Sequence, residues 1–380
     1  MMNNKRKTYS ILLSLVVFCL LAFFITSFCF NEEDVDTVTG VYDSGNVVSV
    51  SQGYADIKLG DYYISGGEGG VVTFITKLED LFAWAKSRED NESPEIVYLK
   101  GSFSAKDMEM VQITRSANIS IIGLGEGAEF ENIGFNITNS RNLIFQNLKI
   151  GKVLYPGDAF NISSSFHIWI DHCELFSDLS VTDAKNVYDG LLDINYGSSF
   201  ITVSWTYFHD HFKTSLISSS DDFDLGYIDS ASRITFRNNW FKDSFERNPS
   251  IRFGAVHIFN NYFENIHNYG LASRLNANAL VENNYYYNVS QPMVDRNFLI
   301  DDSLPGFICQ KDNIFTGDDF FDKRITTKEE LPDNNCDFWD DNQIPYHYDL
   351  IDVSLIPEII FNGAGVGRLE ELFMIDGNGL

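Results

Sequence analysis

Two arginines, Arg247 and Arg252, stand five residues apart in the stretch ERNPSIRFG, with Pro249 between them and Gly254 directly after. A guanidinium is planar, and its parallel N–H donors match the two oxygens of a carboxylate. Two such groups on one stretch suit the gripping of an anion. Proline restricts the backbone between them. The bland alternative is that both arginines pair with surface acids such as Asp243 or Glu246. A second constellation, Asp171 beside His172 in HIWIDH, has the composition of a catalytic dyad. Apolar alternation puts it in a strand wall, so a buried, mutually satisfied pair is expected instead. The seven histidines are scattered without metal-ligand spacing.

The charge balance narrows the partners. The 380 residues include 54 acids against 27 bases. Such a surface repels nucleic acid and anionic lipid, so a phosphate-backbone partner is not expected. It would also repel a polyanionic sugar unless the acids hold cations or cluster away from the site.

The elements that must carry these residues follow a repeat. Leu143, Ile168, Ile201, Ile234, Val256 and Ala279 form one apolar column, and Phe145, Ile170, Val203, Phe236, Ile258 and Val281 a second, two residues on. Two-residue alternation marks strands. The steps of 25, 33, 33, 22 and 23 residues between them mark a solenoid. Turns of this length, two of them enlarged by loops, fit a parallel β-helix. Asn147, Asn238, Asn260 and Asn283 continue the register, with His172 and Trp205 in the intervening rungs, followed by Asn239, Asn261 and Asn284. Stacked amides could bond one another and the turning backbone. A propeller or sandwich would need regular turn signals every 8–12 residues, which are missing.

At the start, residues 71–87 read as a strand and then a helix, with Leu78, Leu81, Phe82 and Trp84 on one side, placed to cap the open end of the solenoid. Before it, Lys5-Arg6-Lys7 and the apolar run Ile11–Phe30 have the form of an export signal nearly long enough to span a bilayer. The expected organisation is a signal peptide or membrane anchor over 1–30, an N-terminal extension over 31–65, the β-helix over 66–310, and a C-terminal segment over 311–380 packed on its outside. The domain would be extracellular, either secreted or tethered through residues 11–30, and a monomer. An exported chain can form a disulfide between Cys309 and Cys336, and Cys173 reads as a small buried apolar residue.

The blocks IWIDHCELFSD, DGLLDINYGSSFITVSWTYFHDHFKTSLISSSDD and ERNPSIRFGAVHIFNNYFEN resemble the signature blocks of family 1 polysaccharide lyases, the pectate lyases, in order and spacing. Weaker likeness at GGEGGVVTFITKLEDL and FNGAGVGRL extends the resemblance over residues 60 to 367. It implies an all-β fold, a right-handed parallel β-helix, and endo-type cleavage of de-esterified polygalacturonate by β-elimination with calcium. Such an elimination must neutralise a uronate carboxylate, supply a base for the neighbouring proton and stabilise the charge that develops. By resemblance, Asp158, Asp189 and Asp193 are calcium ligands, Arg247 is the base, and Lys213 and Arg252 bind substrate. Pro156 stands where some members carry a further acid, which would weaken secondary calcium binding. A guanidinium ordinarily keeps its proton, so a base role asks more of its surroundings than recognition does. The competing readings are a pectin lyase acting on methyl-esterified polymer, a hydrolase, which would need paired carboxylates and water, and a non-catalytic carbohydrate-binding solenoid.

Overall fold

The computed structural model describes residues 51–295, 304–317 and 331–369. The leader over 1–30, and the extension as far as residue 50, lie outside the described residues.

Ten strands, from Val71–Ile75 to Phe307–Lys311, form one sheet in which neighbours are separated by a whole coil. Every pairing in it is parallel, as a chain winding one way requires. The register is the one the apolar columns predict. Leu143 pairs with Ile168, Ile168 with Ile201, Ile201 with Ile234, Ile234 with Val256, and Val256 with Ala279. A second sheet of thirteen strands has two lanes, joined where long strands such as Tyr262–Arg274 run through both. Alternation sends one residue in two inward from each lane. Phe208, Phe241, Phe263 and Tyr286 stack in succession at ring spacings of 4.8, 4.9 and 4.5 Å. Such stacking adds about 0.5–1.5 kcal/mol per pair to the burial of the rings.

The asparagine columns divide into two devices. Asn147, His172, Trp205, Asn238, Asn260 and Asn283 all turn the chain with φ between 46° and 58°. Among residues with a side chain Asn tolerates the left-handed region well, and His172 and Trp205 adopt it at the same corner. The next column is the amide ladder. Asn239 Nδ2 donates to Asn261 Oδ1, Asn261 to Asn284 and Asn284 to Asn313, each at 3.0 Å. The backbone N–H groups of Asn239 and Asn261 donate to the same oxygens. The ladder thus satisfies polar groups that the bend would otherwise leave buried and unpaired.

Asp171 is buried and accepts from Ser204 Oγ at 2.6 Å, Gln146 Nε2 at 2.9 Å and His172 Nδ1 at 2.7 Å, the satisfied structural pair expected of it. Cys173 is buried. The helix Leu78–Ser87 turns Leu81, Trp84 and Ala85 into the core of the first coils. At the other end, solenoid strands continue to Phe307–Lys311 and Ile314–Thr316. Cys309 and Cys336 are disulfide-bonded. The helix Ile356–Gly363 lies outside the wall, with Ile356 and Ile360 packed on Trp240 and Tyr262.

Candidate active site

The strands Phe160–Ser163, Leu192–Asn195, Ser215–Ile217 and Ser250–Arg252 lie side by side, parallel and in register. Residues that precede or end these strands on successive coils therefore come together. Asp158 precedes the first, Asp189 precedes the second and Asp193 lies within it. Lys213 precedes the third, Arg247 precedes the fourth and Arg252 ends it. Leu192 and Ile194 point into the core, so alternation turns Asp193 outward. The two steps of 33 residues have a matching structural cause. The first accommodates a long turn over residues 177–191, and the second a long turn over residues 218–232, on opposite flanks of this lane.

Asp158 and Asp193 form a carboxylate pair around Gly190. Asp158 Oδ1 accepts from the Gly190 N–H at 2.7 Å, and Asp193 Oδ1 accepts from the Leu216 N–H at 3.0 Å. A Cβ at Gly190 would lie 2.5 Å from Asp193 Oδ1 and 3.0 Å from Asp158 Oδ1, so only glycine leaves that space open. Burial, and next the negative charge of Asp193, push the Asp158 carboxyl up to about 9. Burial pushes Asp193 up to about 6, against the opposing pull of Arg247 and Lys213. Two acids that resist ionising together are the electrostatic mark of a position suited to a cation.

Asp189 is engaged by a cation. Its Oδ1 accepts from Lys213 Nζ at 2.9 Å, and its carbonyl accepts from Nε2 of His211 at 2.6 Å. Since a carbonyl only accepts, that ring nitrogen carries the proton, and burial pushes the imidazole down to about 4, keeping it neutral. Among the described residues no group of three or more acids, histidines or cysteines is gathered to hold a metal as it stands. Asp189 spends one oxygen on Lys213, while its negative charge still bears on Asp158 and Asp193 and raises both carboxyls.

Arg247 sits between the acids and the second arginine. Its backbone is left-handed, with φ of 65°, and its carbonyl accepts from the Ser215 N–H at 2.8 Å. The peptide from Asn248 to Pro249 is cis. Buried Asn248 anchors the stretch, with Nδ2 donating to the Tyr269 carbonyl and Oδ1 accepting from Ser244. Among the described residues no carboxylate forms an ion pair with Arg247, which is half-buried. Arg252 is paired, but with neither Asp243 nor Glu246. Its Nε lies 2.8 Å from Asp221 Oδ1, and Nη1 of Arg274 lies 3.6 Å from the same oxygen. Arg252 and Arg274 are register partners on adjacent coils. Burial, and next the charge of Arg274, lower the Arg252 guanidinium to about 10.

Sequence reasoning missed Arg274 and Asp221. The first was within reach, because Arg274 follows Arg252 by 22 residues, the coil step already seen from Ile234 to Val256. Asp221 belongs to the enlarged turn, which keeps no period.

Residues 86–369 match the family model for pectate lyases. The chain belongs to the pectate lyase family. It is 34% identical to the pectate trisaccharide-lyase of Bacillus licheniformis over 323 residues, covering 84% of this chain and 86% of that one. It is 36% identical to pectate lyase plyB of Emericella nidulans over 252 residues, 65% of this chain and 72% of that relative. Among solved structures it is similar to a pectate lyase from Bacillus sp. N165 in complex with trigalacturonate, with a TM-score of 0.70 and 28% identity over 83% of this chain and 99% of that chain. A mutant of pectate lyase C in complex with pentagalacturonic acid gives a TM-score of 0.67 and 26% identity over 84% of this chain and 97% of the other. This pectate lyase is accordingly a polysaccharide lyase with a parallel β-helix fold.

Proposed function

We propose that the enzyme cleaves de-esterified polygalacturonate within the chain by calcium-assisted β-elimination, with Arg247 as the base. The observation that carries this reading is the position of Arg247: half-buried, in no ion pair with a carboxylate among the described residues, and flanked by an acid pair on one side and an arginine pair on the other. Asp158 and Asp193 fit a hard dication, which takes oxygen ligands; Asp189 would join them by releasing Lys213. Calcium bound there would neutralise the uronate carboxylate and so make the proton on the adjacent carbon easier to lose.

The chain's own groups do the rest. Arg252, and Lys213 once freed from Asp189, grip uronate carboxylates and fix the ring against Arg247. The unprotonated guanidine of Arg247 takes the proton α to the carboxylate. The C–H electron pair forms the new C=C bond as the glycosidic C–O bond breaks, and the departing oxygen takes a proton from solvent. Trigalacturonate in the similar solved structure and the name of the Bacillus licheniformis relative support this substrate class. The apolar leader and the Cys309–Cys336 disulfide favour an extracellular domain, released or tethered through residues 11–30.

Ultraviolet absorbance of unsaturated product from polygalacturonate tests the proposal. Absorbance that a calcium chelator abolishes is expected. New reducing ends without absorbance would mean hydrolysis, absorbance only on methyl-esterified polymer a pectin lyase, and binding without product a non-catalytic solenoid.

A further inference from the structure

We propose that Asp221 stands in for a uronate carboxylate in the free enzyme, occupying the cleft between Arg252 and Arg274 until the polymer displaces it. The inference rests on the substrate class proposed above and adds to it a residue that sets how strongly the enzyme prefers an anionic polymer.

The first argument is the asymmetry of the contact. The arginine side chains are only 9% and 8% exposed, whereas Asp221 is 52% exposed. Two buried cations thus lean on one acid that solvent can reach and that can rotate away. The second is that the fit is incomplete. The approaches of both guanidiniums converge on the same oxygen, and Arg252 Nε has no acceptor in hydrogen-bonding alignment despite the 2.8 Å approach. A carboxylate arriving from the groove can offer both oxygens to one fork, which the side chain reaching in from the turn does not. The third is the cost of leaving the cleft empty. Two buried like charges in register repel, and among the described residues each would be left without an ion-pair partner. Exchanging one carboxylate for another keeps that shared counter-charge in place throughout.

The turn that carries Asp221 is anchored on both sides of it. Buried Asp229 accepts from the N–H groups of Gly197 and Ser219 at 2.8 and 2.6 Å. Phe223 packs edge-on against Phe253, the residue next to Arg252. Asp222 caps the short helical turn that follows, accepting from the N–H groups of Asp224 and Leu225. These contacts hold the backbone in place without using the Asp221 side chain, so its removal should leave the turn folded.

The test is Asp221→Asn, which keeps the shape and removes the charge, with thermal melting to verify folding. Steady-state kinetics on polygalacturonate and calorimetric binding of trigalacturonate to the Arg247→Lys and Arg247→Lys/Asp221→Asn proteins supply two readouts. The expected result is a KM lowered about two- to fivefold, the range that an exposed ion pair accounts for, with trigalacturonate binding tightened to match. Weaker binding would mean that Asp221 orients the arginines for substrate, and unchanged binding that it does not compete; either overturns the inference. A parent enzyme that cleaves polygalacturonate while the Asp221 variant is unaltered refutes only this inference. A parent that neither binds nor cleaves the polymer refutes the substrate reading and this inference with it.

Discussion

The groove holds two pairs of like charges, and they are neutralised differently. At one end Asp158 and Asp193 face each other across Gly190, hydrogen-bonded by backbone N–H groups from the next coils. Further along, Arg252 and Arg274 share the carboxylate of Asp221. Among the described residues the acid pair has no direct ion pair, and Lys213 and Arg247 act on it only from a distance, Lys213 being engaged by Asp189. The basic pair brings its counter-charge on a solvent-exposed turn. A site that must recruit a cation from solution and exchange an anion for a polymer would be built in this way. On the proposals made above, one pair would await its cation and the other would release a substitute.

The comparison breaks most visibly at the residue between the pairs. Arg247→Lys should abolish measurable turnover, by about 10²–10⁴-fold if the side chain acts as a general base. The melting temperature and calcium affinity should change little; a substantial residual rate would retire the assignment. Asp193→Asn removes half of the acid pair. Its calcium titration should shift to concentrations higher by about tenfold or more, on the scale of losing about 1.4 kcal/mol of binding, and an unchanged titration would count against it as a ligand. Arg252→Ala removes half of the basic pair. It should raise KM for polygalacturonate by about tenfold, in keeping with about 1.5 kcal/mol for a charge-assisted hydrogen bond, with calcium dependence preserved.

The smallest effect is on stability, and its sign sharpens the contrast. Asp158 at about 9 and Asp193 at about 6 lie above the ordinary carboxyl value of 3.8, so folding takes up protons at this pair. Their contribution is most favourable below pH 3.8 and is lost as pH rises through about 6 and then about 9. In chelator, melting temperature should therefore carry a downward component from pH 5 to pH 9. Calcium should remove it, and Asp158→Asn should reduce it. A slope that neither treatment alters would mean that the acids are not coupled as described. Calcium affinity itself should rise over the same interval, because binding expels the protons.

Much of this was legible in the sequence, and the reasons are physical. A stacked coil repeats its side-chain environments, so the columns from Leu143 to Ala279 predicted the register residue by residue. The asparagines were legible as a stack, but not that one column serves the left-handed corner while its neighbour carries the continuous ladder. Periodicity places positions and does not say where a side chain points. That is why Asp189 could be assigned to the acid side of the groove but not seen turned to Lys213. Asp221 was invisible for another reason. Enlarged turns are exempt from the repeat, and their contacts depend on a path that spacing does not encode.

The Cys309–Cys336 bond joins the final coil to the stretch beyond it. Asn334 and Asn335 there lie along the strand Phe307–Lys311: the Asn335 N–H donates to the Ile308 carbonyl, and Asn334 Oδ1 accepts from the Gln310 N–H. These contacts use backbone groups to which a foreign strand would otherwise add. The covalent link therefore acts as a stopper. Under reducing conditions the stopper can lift, and the exposed rim would be free to recruit the first coil of another molecule, so loss of this one bond should register as end-to-end oligomers before it registers as lost catalysis.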